Sequence, residues 1–210
     1  MSQAGDMGHA GDMTSARHET STAPTPQPAP DRRAVRGAQG GQAAQSAQPA
    51  QPAQPFTHLN AAGQARMVDV TEKQPTVRSA TAAGFVFCGP RVVAALRDGT
   101  TPKGDVLAVA RIAGIQGAKK CADLLPLAHV IGVHGAAVDL TIEDTGVRVA
   151  ATIRTADRTG VEMEALTAVS IAALAVVDMV KGLDKSVSIG DIRLINKTGG
   201  KSGDWLRPAE

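Results

Sequence analysis

The chain has 210 residues, and 22 Lys and Arg against 20 Asp and Glu leave it a net charge of +2 at pH 7. That balance lacks the basic excess of a dedicated nucleic-acid binder, and one Trp, three Phe and no Tyr leave almost no base-stacking platform. Two cysteines, Cys88 and Cys121, form no C-x-x-C and no metal-ligand spacing, which fits a reducing cytoplasm, and no uncharged apolar run reaches the roughly 18 to 20 residues of a membrane span.

Seven of the twelve prolines lie in the first 55 residues, among repeats of Gln-Pro-Ala and Gln-Ala. This stretch has no hydrophobic periodicity and too little apolar surface to offset chain entropy. Residues 1–55 therefore read as a disordered tail. It has neither the apolar core of a secretory signal nor the Arg-rich amphipathic pattern of a transit peptide. The remaining stretch of roughly 155 residues, 56–210, is the size of one domain with a real core.

Along that domain, Ala65 to Val70 alternates and reads as a short strand. Ser79 to Cys88 reads as a second strand closed by Gly89-Pro90, and Asp98 to Pro102 as a loop. Val106 to Lys120 has apolar residues at helical spacing, with Asp105 placed to cap it and Pro126 closing the region. Gly132 to Glu143 and Val147 to Thr155 read as two strands joined at Glu143-Asp144-Thr145-Gly146 into a hairpin. A long helix follows from about Glu162 to Leu183, then a last strand from about Val187 to Asn196. Without the leading strand the order is strand, helix, strand, strand, helix, strand. This predicts an α+β fold: a ferredoxin-like antiparallel sheet with helices packed on one face. The apolar content of the strands points to an oligomer.

The long helix carries the chemistry. Glu162 and Glu164 open it, and no charge occurs from Ala165 to Val177, so both faces are expected to be covered. Asp178 continues the row of Thr167, Ile171 and Leu174. An Asp on an apolar row is either paired or kept for reaction, and Lys181 is its natural partner. The two glutamates serve either the helix dipole or general acid–base work. Asp178 with Lys181 is either a buried ion pair or part of a site. Lys103 sits in Lys-Gly-Asp at a helix start, where an anion would also meet helix amides. Lys197 to Gly203 holds Gly-Lys-Ser, but a P-loop needs Gly where the chain has Ile195. Its glycines could still approach an anion. Taken singly, Lys73 and Arg78 read as solvated surface, and a lone His129 as structural.

Longer motifs add to this. The chain carries His58-Leu59-Asn60-Ala61-Ala62-Gly63, Met67-Val68-Asp69-Val70, Lys103-Gly104-Asp105-Val106 and Ala110-Arg111-Ile112-Ala113-Gly114-Ile115-Gln116. Gly160-Val161-Glu162-Met163-Glu164-Ala165-Leu166-Thr167, Asp178-Met179 and Gly199-Gly200-Lys201-Ser202-Gly203-Asp204 follow in order. With them the chain from about Thr57 to Trp205 resembles the molybdenum cofactor biosynthesis protein C family, the cyclic pyranopterin monophosphate synthases. The resemblance implies a lyase that converts 3′,8-cyclo-7,8-dihydroguanosine 5′-triphosphate to cyclic pyranopterin monophosphate and pyrophosphate. It implies a homohexamer, a trimer of dimers, with active sites at subunit interfaces, and the composition points to a cytoplasmic protein. Small-molecule substrate and further copies of the chain are then the expected partners, with no nucleic acid and no membrane. The sequence requires no cofactor and shows no protein metal site; a divalent metal could accompany the triphosphate.

By the same resemblance Asp178 takes the place of the catalytic Asp, with Lys181 beside it and Lys103 as the active-site lysine. Met163-Glu164, with neighbouring Glu162, matches one substrate-binding segment and Leu127-Ala128-His129 another. Lys73, Arg78 and Lys201 match cationic positions suited to phosphates. One segment departs from the family, which commonly reads Pro-Leu-Cys-His-Pro where this chain has Pro126-Leu127-Ala128-His129-Val130. A thiol role at position 128 is therefore unavailable. A nucleotide-binding regulator on the same fold would be expected to lose Asp178, Lys181 or Lys103, and all three are present. A ferredoxin-like RNA-binding module is disfavoured by the lack of aromatics.

Overall fold

The computed structural model describes residues 59–60 and 62–209; the tail read over residues 1–55 lies outside them. The elements are β1 (Thr76–Phe87), α1 (Pro90–Arg97), α2 (Val106–Lys119), α3 (Cys121–Leu124), β2 (Gly135–Glu143), β3 (Gly146–Asp157), α4 (Glu162–Val180), β4 (Ser188–Thr198) and β5 (Trp205–Leu206). The fold is α+β. Five strands form one antiparallel sheet in the order β2-β3-β1-β4-β5.

The core lies between the sheet and the pair α2 and α4. Alternation sets the inward face: Ala80, Ala82 and Val86 of β1, Val138 and Leu140 of β2, and Val147, Val149, Ala151 and Ile153 of β3 are all buried. Side chains such as Ile153 and Val149 are fully enclosed, and each stabilises the fold by about 1.5–3 kcal/mol through burial alone. Helix α4 supplies Ala165, Ala168, Val169, Ala172, Ala173 and Val176. Small residues let α2 press against it: a Cβ on Gly114 would lie 3.0 Å from the Ala168 carbonyl and 3.1 Å from the Ala172 methyl. By length and mean hydropathy α4 could cross a membrane, but its small apolar side chains are the core of the domain.

Several sequence expectations hold. Asp105 caps α2, its Oδ1 accepting the Ala108 N–H at 2.9 Å, and the hairpin turns at Asp144-Thr145, with Glu143 paired to Gly146. Others are corrected. Ala65 to Val70 is not a strand; its one ladder contact is an isolated bridge between Leu59 and Ala65, because alternation without a neighbouring edge has nothing to pair with. Residues 90–97 form α1, with Pro90 in its first turn, where a proline starts a helix instead of ending a strand. Strand β2 begins at Gly135, so His134 lies just before it. The flank of α4 bearing Leu174 is uncovered in the single chain: Leu174 is 54% exposed.

Candidate active site

The first turn of α4 forms one wall of a cleft of about 370 Å³ lined by Val68, Val70, Lys73, Leu127, Ala128, His129, Thr159, Gly160, Glu162, Met163 and Glu164. Three stretches far apart in sequence meet here: the arm before β1, the loop after α3, and the β3–α4 turn with the helix start. Seven of the residues expected at the site from sequence are thus brought together: Lys73, Leu127, Ala128, His129, Glu162, Met163 and Glu164.

The two glutamates behave differently. Glu162 is half-buried and folds back over Gly160, whose missing side chain leaves the space its carboxylate occupies. Glu164 is only 4% exposed. Burial pushes its carboxyl above the ordinary value, and the Glu162 charge adds to the rise. Its own backbone amide, Cys121 and His129 offset part of it. A carboxyl raised by burial holds its proton more readily than an ordinary one, the direction general acid–base catalysis needs. Val161 supplies no side-chain cap to α4, so first-turn amides remain available to an anion.

His129 is set by the arm. Its Nε2 lies 2.7 Å from the Val68 carbonyl oxygen. A carbonyl only accepts, so Nε2 carries the hydrogen and Nδ1 is the base of the neutral ring. This bond also explains why the loop does without a proline at 130. Val130 is 92% exposed, while His129 is anchored through Val68. Restoring Ala128→Cys and Val130→Pro together is expected to change turnover less than about tenfold; a rise of several orders of magnitude in steady-state rate would show that the loop, not the arm, sets the histidine.

The second group lies at the other end of α4. Asp178 Oδ1 accepts from Lys181 Nζ at 2.9 Å and Oδ2 from Lys103 Nζ at 2.9 Å. Lys103 also donates to the Asp178 carbonyl at 2.9 Å. The Lys181 and Lys103 ammoniums bring the Asp178 carboxyl down to about 2. Of the two readings left open for this pair, the buried ion pair is not what the structure has: Asp178 is 57% exposed, Lys103 46% and Lys181 58%. The row Thr167, Ile171, Leu174, Asp178 is the rim of the helix and not its core side. The carboxylate is thus exposed and held by two lysines reaching from different elements.

Arg78 does not line this cleft. Its guanidinium donates to the carbonyls of Asp157 at 3.1 Å and Arg158 at 3.0 Å, and it passes beside Gly200. It ties the β3–α4 turn to the glycine loop after β4. Lys201 stands exposed on that loop, while Lys197 Nζ is taken up by Ser202 and Gly203. Val68 and Val70 were not expected as lining residues; the Met67-Val68-Asp69-Val70 motif was their signal. Cys121, beneath Glu164, carried no signal at all.

A buried carboxyl with a raised pKa, a histidine anchored by the arm and a doubly clamped carboxylate define an acid–base enzyme more than a binding scaffold. The chain belongs to the MoaC family, whose model matches residues 67–200. It is 60% identical over 151 residues to the cyclic pyranopterin monophosphate synthase of Streptomyces coelicolor, covering 72% of this chain and 89% of that protein. A protein of the same name from Nocardioides sp. is 56% identical over 155 residues, 72% of this chain and 95% of its own. One from Pelobacter propionicus is 53% identical over 154 residues, 72% and 96%.

Proposed function

We propose that the chain is a cyclic pyranopterin monophosphate synthase, a lyase of molybdenum cofactor biosynthesis. It converts 3′,8-cyclo-7,8-dihydroguanosine 5′-triphosphate to cyclic pyranopterin monophosphate and pyrophosphate. The observation that carries this reading is the convergence of the 68–73 arm, the 127–129 loop and the 159–164 turn on one cleft with a buried carboxyl. The names of its relatives point the same way.

Opening a purine ring, rebuilding it as a pterin and closing a cyclic phosphate require repeated proton transfers. Glu164, its carboxyl raised by burial, is suited to exchange protons with the substrate, and His129 offers Nδ1 as a second base. Glu162 and Met163 bound the substrate's ring portion, with Leu127 and Ala128 opposite. Lys73 and the first-turn amides of α4 take phosphate oxygens. Arg78 supports this cradle through the Asp157–Arg158 turn, and Lys201 adds charge from the glycine loop. Asp178 remains ionised throughout the working range, so its part is to accept a hydrogen bond or stabilise positive charge, and Lys103 or Lys181 delivers the proton.

Glu164 and Asp178 are fourteen residues apart on one continuous helix, about 21 Å at the helical rise. That is too far for one substrate's reacting centre to touch both. The site is therefore completed by a second copy of the chain, which brings its Asp178 group to the cleft. Exposed Val109, Ile112 and Leu174 favour association through the helices, and a homohexamer built as a trimer of dimers satisfies both needs. The strand order β2-β3-β1-β4 with α2 and α4 as connections supports the ferredoxin-like description. The synthase domain spans residues 56–210 and works in the cytoplasm, where buried Cys88 and Cys121 stay reduced. Among the described residues no group of three or more His, Cys, Asp or Glu side chains is placed to hold a metal ion; a divalent metal would arrive with the triphosphate. The test is to follow pyrophosphate release and pterin formation from the cyclised nucleotide. Both products should appear in equal amounts, and binding without release would overturn the reading.

A further inference from the structure

We propose that His134 is a positioning residue for the cleft. Its ring nitrogen Nδ1 closes the end of the β2–β3 ladder and so fixes the spacing between the 127–129 loop and the 159–164 turn. The proposal rests on the function given above only for its kinetic readout.

The ladder ends in an unusual way. β2 begins at Gly135, paired with Arg154 of β3, and the His134 N–H still donates to the Arg154 carbonyl at 3.0 Å. The Ala156 N–H, further along β3, donates instead to a side chain, His134 Nδ1, at 3.2 Å. An N–H only donates, so Nδ1 carries no hydrogen and the ring is neutral, protonated at Nε2. Thr155 Oγ1 lies 3.3 Å from the same nitrogen, but that hydroxyl gives its hydrogen to the Gly132 carbonyl at 2.7 Å. Thr155 is 2% exposed, so water does not compete for this bond. The Gly132 N–H in turn donates to Asp157 Oδ2 at 3.4 Å. Gly132 is thus held at both main-chain groups by side chains from the end of β3. A Cβ there would lie 2.9 Å from His134 Cε1, so the ring has room because this residue is glycine.

These bonds join the two cleft walls. Gly132 follows His129 by three residues, and Ala156 precedes Thr159 by three; His129 and Thr159 both line the cleft. Arg78 holds the Asp157 and Arg158 carbonyls from β1, so the chain entering the turn is gripped from two sides. Without an acceptor at Nδ1 the Ala156 N–H loses its partner, and His129 and Glu164 lose their fixed separation, to which a reacting geometry is sensitive. The charged groups around the ring are Asp157, Arg154 in the ladder and Arg158 beyond it. The Arg158 N–H holds the Asp157 carboxyl below its ordinary value, and the carboxylate is near enough to feel the ring's charge. Protonation would place a hydrogen on Nδ1 and turn it into a donor, so the neutral ring alone makes the Ala156 bond.

The experiment compares the full native chain with His134→Asn and His134→Leu. Asn places an acceptor oxygen where Nδ1 sits and does not titrate; Leu fills similar space without an acceptor. The Ala156 amide is followed by NMR in chains labelled at alanine nitrogen, with Ala156→Gly to assign its signal, and the histidine rings are followed in the same samples. In the native chain the amide should move upfield in step with protonation of the His134 ring. In His134→Asn it should stay downfield at every pH, and in His134→Leu it should be upfield throughout. At pH 8, above the ordinary imidazole range, kcat should fall roughly tenfold in His134→Leu with KM changed less than about threefold, and recover to within about twofold in His134→Asn. An Ala156 amide indifferent to the His134 ring would overturn the proposal, as would an Asn variant as slow as Leu or a Leu variant with native kcat. If the native chain itself released no pyrophosphate, the functional reading would fall. The His129 ring signals, displaced in His134→Leu and native in His134→Asn, would then still decide the positioning role.

Discussion

Asp178→Asn is expected to lower pyrophosphate release from the cyclised nucleotide by about 10²–10⁴-fold while leaving the fold and substrate binding largely intact. The side chain is exposed and packs no core, so the amide costs little structurally. What it loses is charge. The carboxylate pairs with two lysines, and an amide cannot hold either ammonium with the same strength. The pH dependence separates this residue from Glu164. Asp178 has a folded pKa of about 2 against an ordinary 3.8. A depressed carboxyl contributes its interaction above the ordinary value and loses it only as pH falls toward the folded one. Asp178 therefore titrates below pH 4 and leaves no inflection between pH 5 and 8. Glu164, whose carboxyl burial raises, titrates above Asp178, and the acid limb of the rate profile is assigned to it. A limb that persisted unchanged in Glu164→Gln would contradict the assignment.

Lys103→Met is expected to reduce kcat/KM by about 10²–10³-fold, with the melting temperature within about 2 °C of the native value. Lys103 is the only link among the described residues that crosses from the loop before α2 to the Asp178 carboxylate and to its backbone carbonyl. Without it the carboxylate keeps Lys181 alone, which lies on the same helix end, and loses its orientation toward the loop. Surface ion pairs of this exposure contribute little to stability, so the effect should fall on activity. A large drop in melting temperature with unchanged turnover would make the pair structural. Lys181→Met should cost less, because Lys103 would still hold both the Asp178 carboxylate and its backbone carbonyl.

The parts of the molecule that were legible in the sequence are those where pattern and packing agree. Helix α2 showed its period and its Asp105 cap, and the β2–β3 hairpin showed its turn. The α4 start at Glu162 was marked by two carboxylates before an uncharged stretch. The misreadings have physical causes. Gly89-Pro90 ends β1 and also starts α1, and punctuation by proline does not distinguish the two. Ala65 to Val70 alternates because Val68 and Val70 face the cleft, not because a strand neighbour exists. At the site, chain pattern placed Asp178 on an apolar row but could not show that the row is a rim, since exposure depends on where α2 lies. The gathering of His129, Lys73 and Glu164 was out of reach of spacing, being set by contacts 35 to 91 residues apart in sequence. The motifs recognised as family segments marked those same positions. Arg78 looked like a free cation and instead is held by the Asp157 and Arg158 carbonyls.

On the proposed function, the acid–base cleft at the start of α4 and the Asp178 group at its end work together across two copies of the chain. The most direct test is subunit complementation. Asp178→Asn and Glu164→Gln chains, each inactive alone, are unfolded, mixed in equal amounts and refolded together. Random pairing leaves about a quarter of the interface sites with both native residues, so the mixture should recover about a quarter of native pyrophosphate release. A mixture no more active than its parents would place both residues' roles within one chain and contradict the account.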